Sequence, residues 1–180
     1  MNHTRRRIAL PRQHWIPGLA LLTLLANPGC RRVPKPSSDS TPPTLRWSVF
    51  NNETRTTQEI AGSGTVNAKQ GESFRVTLFA DDPQGIHEIT LGSSTSWSCS
   101  SGDVGQNHGP SLDATDKQTL QPDSGGNVLT SIFLIRNANL GPFECQSGFK
   151  FGGGSVQLFG TGENYFNGVT KGQLTFSVSH

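Results

Sequence analysis

Few side chains in this sequence could carry out chemistry, and a histidine is the first to consider. His108 lies between Asp103 and Asp113, in a segment that also contains serine. A serine hydrolase needs a nucleophilic serine, a histidine base and an orienting acid that meet in space. The sequence contains no Gly-x-Ser-x-Gly nucleophile motif, and serine is abundant throughout. It therefore favours a non-catalytic protein, with an envelope hydrolase using His108 as the less favoured alternative.

Cys30 is preceded by the features of an export signal. Arginines at positions 5–7 lead into an apolar run over residues 19–26, which ends at Asn27-Pro28-Gly29. A basic start, a short apolar stretch and a small residue before the cut are typical of a secretory signal peptide. The run is shorter than the roughly 20 apolar residues that a membrane-spanning helix needs. Residues 1–29 are therefore predicted to be a signal peptide.

The pair Gly29-Cys30 resembles the processing site of bacterial lipoproteins, in which a peptidase cuts just before a cysteine that carries lipid. The resemblance implies lipidation of Cys30 and an anchor in a bacterial membrane, with the protein in the cell envelope and facing the periplasm or the exterior. Ordinary cleavage nearby is the alternative, and it would leave Cys30 as a thiol. Residues 4–10 also resemble a twin-arginine signal, so the export route stays open.

Removal of the signal peptide changes the charge of the protein. Four of the 15 basic residues and none of the 13 acidic residues lie within residues 1–29, so residues 30–180 carry a net charge of −2. No basic patch with interleaved aromatic residues follows. The composition therefore predicts no nucleic-acid partner.

Cys99 and Cys145 are the two cysteines that remain once Cys30 is lipidated. Cysteines of an exported protein pair readily in an oxidising compartment. A metal site is the rival interpretation, but two isolated cysteines without a close histidine do not make a zinc site. We therefore predict a disulfide between Cys99 and Cys145.

Three acidic residues are weak candidates for binding a metal ion. Asp81, Asp82 and Glu88 flank a glycine-containing turn, and carboxylate oxygens at the end of a strand suit calcium. The alternating acids of a calcium-binding loop are missing, so the sequence favours a turn in which an aspartate accepts local backbone hydrogen bonds. We predict neither a metal nor a cofactor.

Aromatic side chains could bind a glycan or a peptide, because rings stack on the apolar faces of sugars and on cations. Trp47 and Trp97 are expected in the core. Tyr165 and Phe166 lie in a turn-like segment, and with His108 they are the candidate binding residues. The expected partners are the membrane, through the lipid, and an envelope protein or a glycan.

The elements that must position these residues are strands. Apolar and polar residues alternate in residues 73–80 and 173–179, which places one face of each strand on a core. Other predicted strands cover residues 45–50, 86–91 and 155–159, and the more uniformly apolar residues 128–135 are predicted to form a central strand. Residues 98–123 are predicted to be an irregular loop, with one short helical turn at 113–120.

The segment of residues 30–44 is rich in proline and serine and poor in apolar residues. Such a segment buries too little surface to offset the entropy of ordering. We predict a disordered tether here, leading to one domain over residues 45–180.

The pattern of residues 71–82, followed by Gly85-Ile86 and Ile89-Thr90-Leu91, resembles the start of immunoglobulin-like domains in bacterial surface proteins. The resemblance covers residues 64–92 and implies an all-β, immunoglobulin-like antiparallel β-sandwich. By analogy of fold, we expect a cell-envelope lipoprotein that acts as a non-catalytic binding or scaffolding module through residues 100–110 and 163–168. A carbohydrate-binding module is the alternative.

Overall fold

The computed structural model describes residues 31–39 and 41–180, and the regular elements of these residues are all β-strands. The predicted signal peptide and Cys30 lie outside the described residues. The part of the chain that the structure describes contains no helix long and apolar enough to cross a membrane. The strands are β1 (Arg32–Pro34), β2 (Thr44–Asn51), β3 (Thr57–Ala61), β4 (Gly64–Lys69), β5 (Ser73–Asp81), β6 (Ile86–Ser101), β7 (Val104–Thr119), β8 (Asn127–Leu129), β9 (Ser131–Asn139), β10 (Lys150–Asn164) and β11 (Val169–Ser179).

The strands form two large sheets and one small ribbon. The five-stranded sheet has the order β4-β11-β10-β6-β7, and the four-stranded sheet has the order β3-β2-β5-β9. Neighbouring strands are antiparallel, except that β4 runs parallel to β11. The ribbon consists of β1 and β8.

The core lies between the two sheets, because alternate residues of their strands are apolar and face inward. The Phe74 ring on β5 lies 4.9 Å from the Phe176 ring on β11. The sheets approach so closely at Gly160 that a Cβ there would lie 2.7 Å from Leu78 and 3.0 Å from Trp47. The prediction of an all-β sandwich is confirmed, and the architecture is compatible with an immunoglobulin-like domain.

The segment predicted to be an irregular loop is instead a long hairpin. Strands β6 and β7 pair from Glu88 opposite Thr119 to Ser101 opposite Val104. Strand β7 is also where a helical turn was predicted, and that prediction is wrong. This polar strand lies at the edge of its sheet, where backbone hydrogen bonds to β6, rather than a buried apolar face, hold it extended.

Residues 128–135 do not form a central strand. They are divided between β8 and β9, and β9 is an edge of the four-stranded sheet. Ile132 faces the core, whereas Phe133 and Ile135 point outward and are 48% and 52% exposed. The run is uniformly apolar because both faces of this edge strand carry apolar side chains.

Three residues of the predicted disordered tether, Arg32–Pro34, form a strand. Strand β1 pairs with β8, with Val33 opposite Val128, and the Lys35 N–H donates to the Gly126 carbonyl at 3.0 Å. The neighbouring prolines do not prevent this pairing, because a short edge strand needs few backbone donors. Residues 32–35 therefore lie along the body of the domain.

Candidate functional site

The predicted disulfide is present at the end of the sandwich where β6 and β10 extend beyond the four-stranded sheet. Cys99 on β6 is joined to Cys145, with their Cα atoms 5.8 Å apart. Cys145 belongs to the connection between β9 and β10. The bridge therefore holds this connection against the end of β6.

Trp97 lies beside the disulfide and is held on both sides. Its indole Nε1–H donates to the Glu144 carbonyl at 3.1 Å. One ring face stacks on His108, with the ring centroids 4.9 Å apart and the planes 10° from parallel. The Phe143 ring lies 5.7 Å away in a tilted arrangement. The cross-strand pairing of Trp97 with His108 accounts for the stack.

An open cleft of about 300 Å³ surrounds this pair. Its lining includes three serines, one asparagine and three glycines, together with Trp97 and His108. The side chains of Trp97 and His108 point to the face of the sheet opposite to those of the neighbouring Ser96, Ser98 and Asn107. Ser96 and Ser155 face each other across β6 and β10, with their hydroxyl oxygens 3.0 Å apart. The lining residues are Ser96, Trp97, Ser98, Asn107, His108, Gly109, Gly153, Gly154 and Ser155.

Glycines make room for the cleft. Gly109 has φ of +90°, and a Cβ there would lie 2.5 Å from the Thr95 carbonyl oxygen. Gly154 lies opposite Trp97, and a Cβ there would lie 2.9 Å from the Ser96 carbonyl oxygen. Side chains at these two positions would collide with β6, so the backbone geometry of the cleft requires glycine.

His108 has an unusual environment. Its Nε2 atom is buried and has no hydrogen-bond partner among the described residues. Among the side chains that the structure describes, no carboxylate lines the cleft, and the side chain of Asp113 lies outside the described part. A buried polar atom without a partner is uncommon in proteins. Because Nε2 has almost no solvent-accessible surface, it is not itself exposed to the cleft.

The second pair of candidate binding residues lies at the opposite end of the sandwich, in the turn between β10 and β11. Tyr165 and Phe166 are half-buried. The His87 ring lies 5.0 Å from the Tyr165 ring, and the Lys35 ammonium lies 4.8 Å from its centroid. The Tyr165 ring is thus covered by other side chains, and burial raises the pKa of its phenol.

The turn that carries these aromatics is organised by Asn164, which is buried. Its Nδ2 donates to the Asp39 carboxylate at 2.7 Å and to the Thr41 carbonyl at 2.9 Å. Its Oδ1 accepts the N–H groups of Phe166 and Gly168 at 3.0 and 2.8 Å. Asn164 therefore connects the segment that precedes β2 to the β10–β11 turn.

The three weak metal candidates are not brought together. Asp82 is buried and accepts the Gln84 N–H at 2.7 Å, as the turn interpretation predicted. Glu88 lies on β6 and pairs with Lys117 at 2.7 Å, while Asp81 ends β5. In the described ranges, no group of three or more histidine, cysteine, aspartate or glutamate side chains is arranged to hold a metal ion.

The charges of these acids are set by their surroundings. Burial raises the pKa of Asp82, and the nearby charge of Asp39 raises it further, while the Gln84 N–H acts in the opposite direction. The hydrogen bond from Lys117 lowers the pKa of Glu88. The two acids therefore titrate in opposite directions from their ordinary values.

Sequence reasoning identified His108 but missed most of the cleft around it. Trp97, which is expected in the core, is partly buried against it and also reaches the cleft. Gly154, which pairs with Trp97, belongs to β10. The Ser101-Gly102-Asp103-Val104 sequence is the signal that could have indicated the β6–β7 hairpin, because glycine followed by aspartate is typical of a two-residue hairpin turn.

Comparison with protein families and with curated proteins finds no match to this chain.

Proposed function

We propose that this protein is a cell-envelope lipoprotein whose sandwich domain binds a ligand without chemically changing it. The proposal has two parts, the anchor at Cys30 and the cleft around His108. The observation that supports the binding part most strongly is an open cleft of about 300 Å³ whose lining includes three serines, one asparagine and three glycines. Hydroxyl, amide and backbone groups of this kind form hydrogen bonds with a polar ligand.

The anchor is supported by the order of features at the N-terminus. A basic segment, a short apolar run and Gly29 precede Cys30. The disulfide between Cys99 and Cys145 agrees with an oxidising compartment outside the cytosol. Mass spectrometry of the purified protein should find Cys30 as the N-terminal residue carrying acyl chains. An unmodified N-terminus at another position would reject the anchor.

The binding role is favoured over hydrolysis because, among the side chains described around the cleft, no carboxylate orients the imidazole of His108. A His108→Ala variant distinguishes the two classes. If the protein binds without catalysis, wild type and variant should be equally inactive on ester, amide and glycoside substrates. An activity present in the wild type and abolished in the variant would establish a hydrolase.

A carbohydrate is the ligand class that the chemistry of the cleft favours. The side chains of Ser96, Ser98, Ser155 and Asn107 line the cleft, and hydroxyl and amide groups of this kind hydrogen-bond to sugar hydroxyls. The wild-type protein should therefore bind to specific sugars on a glycan array.

Two variants locate the binding site on that array. Asn107→Ala should abolish binding to the array if the sugar binds in the cleft. Tyr165→Ala should abolish binding if the sugar binds at the turn at the opposite end. A wild-type protein that binds no glycan would eliminate the carbohydrate-binding function and leave an envelope protein as the partner to seek.

A further inference from the structure

The first described residue, Arg31, is hydrogen-bonded to the body of the domain. The backbone N–H and the hydroxyl of Thr130 donate to the Arg31 carbonyl at 2.9 and 3.0 Å. The next residue, Arg32, pairs with Asp123 at 3.2 Å. Arg31, the residue that follows Cys30 in the sequence, is therefore held at the corner between β8 and β9.

This corner adjoins the outer face of the four-stranded sheet. Strand β9 starts one residue after Thr130, and its outward side chains include Phe133 and Ile135. A strand advances about 3.4 Å per residue, so these side chains follow at about 10 and 17 Å along the strand from Thr130. The most exposed apolar residues of this sheet therefore lie close to the point where the lipid would be attached.

The same face combines aromatic rings with arginine. The Phe79 ring lies 5.9 Å from the Phe133 ring, and the Arg46 guanidinium lies over Phe79 at 4.1 Å from its centroid. On the neighbouring part of the face, Arg75 lies 5.2 Å from the Phe50 centroid. We call the side chains Arg46, Phe50, Arg75, Phe79, Phe133 and Ile135 the arginine–aromatic face.

The outer face of the five-stranded sheet has a different chemistry. Its central strands place Thr90, Ser96, Ser155, Gln157 and Thr161 outward, in cross-strand positions beside one another. Phe159 is a large apolar side chain on this face, and it is 38% exposed. The two sides of the sandwich thus differ, one hydroxyl-rich and the other apolar and aromatic with arginines, of which Arg46 is paired with Glu59 at 2.5 Å.

We propose that the arginine–aromatic face lies against the lipid membrane in which Cys30 is anchored. This inference rests on the proposed lipidation of Cys30. Aromatic rings and apolar side chains enter the headgroup region to a depth of about 5–10 Å, while arginine pairs with lipid phosphates. Attachment of the lipid within about 20 Å of this face holds it at high local concentration beside the bilayer.

The position of the attachment point favours a membrane over an envelope protein as the partner of the arginine–aromatic face. The strand pairing of β1 with β8 leaves no long flexible spacer between Cys30 and the body. The domain therefore cannot move far from the bilayer. The cleft at His108 belongs to the opposite end of the sandwich and stays accessible.

The test uses the mature lipidated protein reconstituted into vesicles of phosphatidylethanolamine and phosphatidylglycerol that contain brominated lipid, which quenches tryptophan fluorescence on contact. Phe133→Trp places a reporter on the arginine–aromatic face, and Ile135→Trp is an independent reporter on the same face if the first variant folds poorly. Phe159→Trp is the matched control, because it replaces an exposed phenylalanine on the outer face of the other sheet. The native Trp47 and Trp97 give a constant background.

Emission from the tryptophan at position 133 or 135 should be quenched in brominated vesicles. In vesicles without bromine it should shift to shorter wavelength. Emission from the tryptophan at position 159 should be unchanged in both. Equal emission from all three reporters with and without bromine would overturn the proposal and leave the face to a protein partner. Mass spectrometry of the Cys30 peptide from the same sample separates the two failures. Unmodified Cys30 removes both proposals, whereas lipidated Cys30 with unquenched reporters removes only this one.

Discussion

Arg136 on β9 reaches across the open side of the sandwich to Asp116 on β7. Its Nε and Nη2 atoms donate to one carboxylate oxygen of Asp116 at 3.1 and 2.5 Å, and Nη1 donates to the Ser93 hydroxyl at 2.8 Å. The arginine side chain is 13% exposed, whereas that of Asp116 is 50% exposed. One side chain thus links the edges of both sheets.

Replacing Arg136 should therefore cost more than replacing Asp116. We expect Arg136→Ala to lower the free energy of unfolding by about 1.5–3 kcal/mol, because it removes charge-assisted hydrogen bonds from a largely buried side chain. We expect Asp116→Asn to cost less than about 1 kcal/mol, because its carboxylate is half exposed to water. Urea unfolding measures both, and equal losses would show that Arg136 does not connect the sheets.

The disulfide should be a major source of stability. It closes a loop with a sequence separation of 46 residues, for which the chain-entropy model gives a stabilisation of about 4 kcal/mol. A double variant, Cys99→Ala with Cys145→Ala, should unfold at a correspondingly lower urea concentration than the oxidised wild type. Reducing agent should destabilise the wild type and leave the variant unchanged. Insensitivity of the wild type to reduction would contradict this.

Protonation of Asp82 should change how the free energy of unfolding depends on pH in the acid range. Its folded pKa is raised above the ordinary value of 3.8, so the folded state binds the proton more tightly than the unfolded state. This group contributes stability below pH 3.8 that is lost as the pH rises through the folded pKa. Asp82→Asn keeps an acceptor for the Gln84 N–H and cannot ionise. It should therefore gain stability relative to wild type as the pH rises from 3.8 toward neutrality.

Asp123 provides a control of the opposite sign. The hydrogen bond from the backbone N–H of Asn127 lowers its pKa, so its contribution is present above the unfolded pKa and is lost as the pH falls through the folded value. Asp123→Asn should be less stable than wild type at neutral pH and equal to it in acid. Parallel pH profiles for the Asp82 and Asp123 variants, measured by urea unfolding, would refute both assignments.

Alanine substitutions at Gly109 and Gly102 distinguish the cost of backbone strain from the cost of a steric collision in the cleft. Both have positive φ, but a Cβ at Gly102 meets nothing within 4 Å, whereas at Gly109 it meets the Thr95 carbonyl oxygen at 2.5 Å. Gly102→Ala should cost about 1–2 kcal/mol from strain alone. Gly109→Ala should cost more and should also shift the NMR signals of Trp97 and His108. If both variants lost the same stability, the close approach of β7 to β6 at this point would be disproved.

Alternation of apolar residues was a reliable guide where a strand buries one face. It predicted β2, β5 and β11 because their inward residues pack between the sheets, so burial is visible in the sequence. It failed for β7, whose side chains lie at a sheet edge and whose extended shape depends on hydrogen bonds to β6. It also failed for β9, since Phe133 and Ile135 interrupt the pattern with apolar residues that face outward.

The candidate site was predictable only in part. His108 stands out because histidine is rare in this chain. Its pairing with Trp97 depends on the register between β6 and β7, which includes a shift between Thr95 and Trp97. Gly153 and Gly154 reach the cleft through a second register shift, between β6 and β10. Such irregularities arise from the fit between whole strands, and no short stretch of sequence specifies them.

The parallel pairing of β4 with β11 has a consequence for biogenesis. Strand β4 lies at an edge of the five-stranded sheet, and its one neighbour in that sheet is the last strand of the chain. Residues 64–69 therefore remain without this partner until residues 174–179 have been synthesised. A polypeptide that stops short of β11 leaves two strand edges open, so premature termination near the C-terminus should yield a protein that cellular proteases degrade.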